Sequence, residues 1–198
     1  MTSYVQPLAY SSPYAWIFWA VFLVAYVPEF VVVARSKPAA GDKTDQGSMT
    51  FIILASWLAF PAAFAVASWP KFALLNHRIV WFALGLVILA AGSMLRRYCF
   101  RTLGRYFTGN VRVDADQPVI EDGLYHFVRH PSYTGGMLMY LGTGLALTNG
   151  LSALILVGMG AVTYTYRVRV EEQALGNSIG QPYLEYMQRT KRFIPFVF

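Results

Sequence analysis

Long apolar runs, each close to the length of a bilayer crossing, leave this chain few folds to choose from. Residues 14–33, 50–68 and 79–95 are almost free of charge, and a transmembrane helix needs about 20 predominantly apolar residues. Only 13% of the residues are charged, against 56% hydrophobic, where a soluble domain carries roughly 25% charged. The chain therefore reads as an all-α, polytopic membrane protein of about five transmembrane helices. Its 198 residues amount to one domain: a single membrane domain with N-terminal spans over 1–102 and a functional half over 103–198.

Residues 1–13 carry no charge, so the basic region of a secretory signal is missing. Residues 14–33 form the first span, interrupted late by Pro28 and Glu29. An acid in a span is a candidate for function, although Glu29 lies within a turn or two of the end and within reach of headgroups. A polar loop over 35–48 precedes the second span at 50–68, and the third runs over 79–95 to Arg96-Arg97. Residues 99–110 continue it as a basic, aromatic interfacial stretch. Then come a polar segment broken by Pro118 and Gly123 and two further apolar helices, 133–147 and 151–166.

Each of those two helices is about 24 Å long at about 1.5 Å per residue, short of a bilayer core of about 30 Å. They read as a helical hairpin supported by its neighbours. The turn is Thr148-Asn149-Gly150, with Asn and Gly supplying positive φ. The second arm continues beyond Tyr166 as a charged helix, breaks over 176–180, and is followed by a short amphipathic helix over 183–189 with Tyr183, Tyr186 and Met187 on one face. Phe193 to Phe198 close the chain as an apolar tail.

Basic residues set orientation. With the end of the third span in the cytoplasm, that side holds Arg35, Lys37, Lys43, Arg96, Arg97, Arg101, Arg105, Arg112, Arg129 and every basic residue after the hairpin, leaving only Lys71 and Arg78 outside. The expected topology is multi-pass, N-terminus outside, C-terminus and pocket cytoplasmic. The same rule accounts for the net charge of +6 without nucleic acid. One cysteine, Cys99, rules out an intrachain disulfide, and His77, His126 and His130 lack metal-site spacing, so no metal is expected.

Chemistry concentrates between Gly123 and Gly135, where His126, Arg129, His130, Tyr125, Tyr133 and Pro131 stand at the re-entry of polar chain into apolar chain. Arg129 reads as a snorkelling anchor. His130-Pro131 opens the fourth helix, whose unpaired amides favour an anion. Both hairpin ends emerge on one side, which brings this stretch next to Arg167 and Glu171, four apart and able to pair on one helix face.

Gly123-x-Tyr125-x-x-x-Arg129-His130-Pro131-x-Tyr133-x-Gly135, followed by Arg167-x-x-x-Glu171-Glu172 and Gly180-x-x-Tyr183-x-x-Tyr186, resembles the isoprenylcysteine carboxyl methyltransferase family, and more widely the phospholipid N-methyltransferases. Leu103-Gly104-Arg105-Tyr106-Phe107-Thr108 and Val119-Ile120 resemble that family's lead-in, so the likeness covers roughly residues 103–195. It implies a membrane-embedded methyltransferase using S-adenosylmethionine and yielding S-adenosylhomocysteine. No Rossmann fingerprint is present in the sequence.

The resemblance places Gln117, Val119, Gly123, Tyr125, His130, Pro131, Tyr133 and Glu171 around the cofactor, with Gln117 standing where relatives often have histidine. It gives Arg167 and Glu171 catalytic roles beside an acceptor. The acceptor it implies is lipophilic, enters from the bilayer among membrane lipids, and is foremost the carboxylate of an isoprenylcysteine-like compound. A lipid amine or a small thiol remains an alternative, and an ammonium would need Glu171, Glu172 or a histidine as base. A reading of another class is a non-catalytic membrane protein of a redox pathway.

Overall fold

The computed structural model describes residues 5–35, 44–113 and 116–193. Among them run α1 (Tyr14–Arg35), α2 (Ser48–Val66), α3 (Arg78–Leu103), α4 (Pro131–Ala146), α5 (Gly150–Ile179) and α6 (Gln181–Arg189), with short 3-10 turns between. No strand occurs among the described residues, only two isolated bridges. Lys37 and Lys43, and residues 194–198 of the apolar tail, lie outside them.

Four helices, α1, α2, α3 and α5, are long and apolar enough to cross a membrane. Their outer faces expose Trp16, Trp57, Leu58 and Val87, as surfaces facing lipid do. The fifth apolar helix, α4, has 16 residues. It is the short hairpin arm expected from the sequence, sheltered by the others, and most of its residues are buried. Ala25, Tyr26, Ala59, Ala63, Leu89, Met139, Tyr140, Leu156 and Tyr164 form a core to which α1 to α5 all contribute.

α3 packs closely on α4, because small residues face each other along the seam. A Cβ on Gly142 would lie 2.4 Å from the Leu89 backbone nitrogen, and one on Gly85 would lie 2.3 Å from that of Ala146. Contact this close lets dispersion and weak Cα–H···O contacts hold helices where lipid offers no hydrophobic drive.

The hairpin turn differs from expectation in one respect. The positive φ falls on Thr148, at 53°, while Asn149 is extended and caps α5 by accepting from the amides of Leu151 and Ser152. The Asn149 amide group also donates to the carbonyls of Val66, Ala67 and Trp69. One buried side chain thereby satisfies orphan groups of two helices.

Two other boundaries move. α3 runs unbroken through Arg96-Arg97 to Leu103. There Arg96 turns inward, pairs with Glu29 and donates to the Ser132 carbonyl at 3.0 Å, so Glu29 is an interior partner instead of a headgroup contact. α5 passes through Gly176 and ends only at Gly180, whose φ of 74° starts the turn into α6.

The seam makes a stability prediction. Gly142→Ala should destabilise the detergent-solubilised protein by about 2 kcal/mol through backbone overpacking. Gly158→Ala, with nothing near its Cβ position, should be neutral or stabilise by about 0.5–1 kcal/mol. Thermal melts of the two variants check this.

Candidate active site

Where α5 leaves the apolar layer, Arg167, Glu171, Leu175 and Ile179 recur every fourth residue and so share one face. Across from them stand His130, Ser132 and Tyr133 at the start of α4, with Tyr125 from the preceding 3-10 turn. Residues 103–113 and 117–120 cover the gap, and Tyr183 and Tyr186 of α6 close one side. The chamber so formed holds about 850 Å³ of space, part of it continuous with bulk solvent.

Tyr133 stands between the two charged residues of the stripe. Its hydroxyl donates to Glu171 Oε2 at 2.6 Å and accepts from Arg167 Nε at 3.2 Å, so the expected pairing of Arg167 with Glu171 runs through a tyrosine. The Arg167 side chain is 5% exposed and ion-paired with Asp45. It also donates to Ser48 Oγ at 2.8 Å and to the Gly109 carbonyl at 2.5 Å. A buried guanidinium needs such partners, since one left unpaired costs several kcal/mol.

A second charged cluster holds the chamber's wall from behind. The Glu172 carboxylate, 6% exposed, accepts from Arg129 Nε at 2.9 Å and from Arg192 at 2.8 and 3.1 Å, with His130 Nε2 at 3.4 Å. Arg129 also donates to the carbonyls of Met187 and Thr190. It is a buried clasp, which corrects the snorkelling-anchor reading. The backbone follows suit, with the amides of Arg129 and His130 donating to the carbonyls of Lys191 and Arg192 at 2.8 and 2.9 Å. His130 lies between the acids, its Nδ1 3.8 Å from Glu171. The hydrogen bond to Glu172 holds the Arg192 guanidinium above its ordinary pKa.

Burial pushes the phenol of Tyr125 up, with the neighbouring Cys99 adding to it. Burial also raises Tyr183 and Tyr186. These walls are neutral hydroxyls at any physiological pH, and Tyr186 donates to the Tyr125 carbonyl at 2.5 Å.

Of the residues singled out from the sequence, Gln117, Val119, Tyr125, His130, Tyr133, Arg167 and Glu171 line the chamber. Gly123 and Pro131 do not. Gly123, at φ 59°, lies against Tyr98, whose hydroxyl would be 1.9 Å from a Cβ there. Pro131 is buried in the first turn of α4. Both shape the turn that carries the wall. Asp45, Ser48 and Arg192 were not foreseen. Asp45 did carry a signal, an acid just ahead of an apolar run where helix caps occur, and its carboxylate takes the Met49 amide at 2.9 Å.

Residues 83–177 match the family model described as isoprenylcysteine carboxyl methyltransferase. Protein-S-isoprenylcysteine O-methyltransferase B of Arabidopsis thaliana is 32% identical over 115 residues, covering 57% of this chain and 58% of that protein. A probable protein-S-isoprenylcysteine O-methyltransferase of Oryza sativa subsp. indica is 28% identical over 189 residues, or 92% of this chain and 96% of the relative. The chain is similar to the isoprenylcysteine carboxyl methyltransferase family over residues 83–177. It thus spans somewhat over half of the Arabidopsis relative and nearly the whole rice one.

A solved eukaryotic intramembrane Ras methyltransferase of that family superposes with a TM-score of 0.64 at 23% identity, covering 93% of this chain and 67% of that one. At that identity the match speaks for the all-helical membrane fold. Every chamber residue assigned from the sequence to cofactor or catalysis falls between 83 and 177, whereas Asp45, Tyr183, Tyr186 and Arg192 fall outside the family match.

The clasp gives a second prediction. Glu172→Ala leaves Arg129 buried beside an absent partner and should cost about 3 kcal/mol or more. Arg192→Ala removes a 41% exposed partner and should cost about 1 kcal/mol or less. Denaturation of both variants in one detergent gives the comparison.

Proposed function

We propose that this chain is an S-adenosylmethionine-dependent methyltransferase, working at the cytoplasmic face of its membrane on a lipophilic carboxylate of the isoprenylcysteine type. The observation that carries the reading is the Arg167–Tyr133–Glu171 array facing a chamber at the lipid boundary. Its residues fit the proposed donor. Glu171, 29% exposed, presents a carboxylate for the donor's ammonium, and Tyr125, Tyr133 and His130 offer flat faces and polar edges for adenine and ribose.

S-adenosylmethionine supplies a methyl group already activated on a sulfonium. What remains for the protein is to align the acceptor with it and exclude water. Apolar Leu103, Phe107, Ile120, Leu175 and Ile179 line the same chamber and suit a prenyl-like tail. Tyr133 holds the Glu171 carboxylate, and Arg167, its charge balanced by Asp45, fixes the orientation of the Tyr133 hydroxyl toward the acceptor.

The favoured acceptor chemistry follows from the bases at hand. A carboxylate arrives ionised and needs none. An ammonium must first lose a proton, and Glu172 is already committed to Arg129, Arg192 and His130. That weighs against a lipid amine. The orientation, with the N-terminus outside, rests on the basic residues gathered at the chamber end.

The test is methyl transfer from labelled S-adenosylmethionine by purified protein to an S-prenylcysteine, a phosphatidylethanolamine and a small thiol. A base-labile methyl ester on the first alone is expected; labelling only of the amine or the thiol would overturn the acceptor class. Glu171→Gln should weaken donor binding roughly tenfold or more in calorimetry, as loss of a charged hydrogen-bond partner does.

A further inference from the structure

Asp45, together with Ser48, reaches the chamber's charged array from the N-terminal half, and it comes from the turn before α2, outside the family match. Its Oδ1 takes the Arg167 guanidinium, the Val111 amide at 2.8 Å and Ser48 Oγ at 3.1 Å. Its Oδ2 takes the Met49 amide at 2.9 Å. Val111 and Arg167 both line the chamber. One carboxylate, 16% exposed, therefore fastens the cover, the floor and the start of a transmembrane helix together.

The groups facing Arg167 are Asp45 from the turn before α2, Ser48 Oγ at the start of α2, Tyr133 from α4, the Gly109 carbonyl from the cover, and Glu171 one turn on along α5. Asp45 balances the guanidinium charge, so Glu171, held by the Tyr133 hydroxyl, faces the chamber without a direct ion pair to Arg167. This balance bears on a ligand whose own charge changes on reaction. S-adenosylmethionine carries a sulfonium, an ammonium and a carboxylate, for a net charge of +1. S-adenosylhomocysteine has lost the sulfonium charge and is neutral overall.

We propose that Asp45 is a positioning residue of the donor site: by pairing with Arg167 it sets the guanidinium's orientation and holds the chamber's charge at a value that favours the cationic donor over the neutral product. The inference rests on the chamber being the donor site.

The experiment is calorimetric binding of S-adenosylmethionine and S-adenosylhomocysteine to the full chain in detergent, read as the ratio of the two dissociation constants. Asp45→Asn adds one net positive charge behind the floor. It should weaken the donor about three- to tenfold more than the product, the scale of a unit charge acting over a partly screened distance of roughly 10 Å. Ser48→Ala loses a hydrogen bond at the same place without changing charge and should leave the ratio within about twofold. The double variant Asp45→Asn/Arg167→Gln removes both charges and should bring the ratio back toward wild type.

Equal weakening of both ligands by Asp45→Asn would reduce Asp45 to a structural tie and overturn the proposal. Should that variant fail to fold, Arg167→Gln reads the same balance from the other side. It should shift the ratio in the donor's favour, and an unchanged ratio would overturn the proposal. A wild-type chain that binds neither ligand would sink the donor-site reading itself, and this inference with it.

Discussion

A guanidinium removed from water has to be met by acceptors, and Arg167 gathers its acceptors from segments far apart in the chain. Asp45 and Ser48 come from the start of α2, Gly109 from the cover and Tyr133 from α4. Tyr133 also packs against the main apolar core, whereas the cover's buried contact with α5 is small, made by Val111 with Val170 and Ala174. This one buried charge ties the cover, the start of α2 and the start of α4 to α5. Glu172 does the same work behind the opposite wall, where Arg129 and Arg192 bring in the end of the chain.

Below the chamber a different force dominates. Lipid removes the hydrophobic drive between helices, so shape and backbone proximity hold α3 on α4. The small residues at 85, 92, 135 and 142 permit that proximity, and α4 can then be too short to span because its neighbours shield it. Glu29 and Arg96 link the two regimes. Their ion pair lies at the top of the helical bundle, and Arg96 also holds the Ser132 carbonyl at the chamber's edge.

Much of this was legible in the sequence. Apolar runs mark spans through composition alone, and the hairpin's shortness was visible in its length. The motif around His130 and the stripe of Arg167 and Glu171 were legible because each is local, carried by neighbouring residues or by a four-residue helical step. What escaped was non-local. That Arg129 faces Glu172 instead of lipid, and that Asp45 meets Arg167 across 122 positions, depends on how helices and loops meet, which no periodicity records. Thr148 taking the positive φ in place of Asn149 has a similar origin. Asn149 is drawn into the cap by three carbonyls at the end of α2.

The unbroken course of α5 deserves a mechanical reading. Over 30 residues, about 45 Å at about 1.5 Å per residue, it runs as one rod from the hairpin turn to the far edge of the chamber. No hinge separates its lipid-facing half from the half bearing Arg167 and Glu171. The rod therefore acts as a gauge of height, fixing how far above the bilayer's midplane the polar array stands. For the proposed acceptor, anchored in the membrane by its tail, that gauge would set the reach required: its reactive end would have to rise to the level of Glu171.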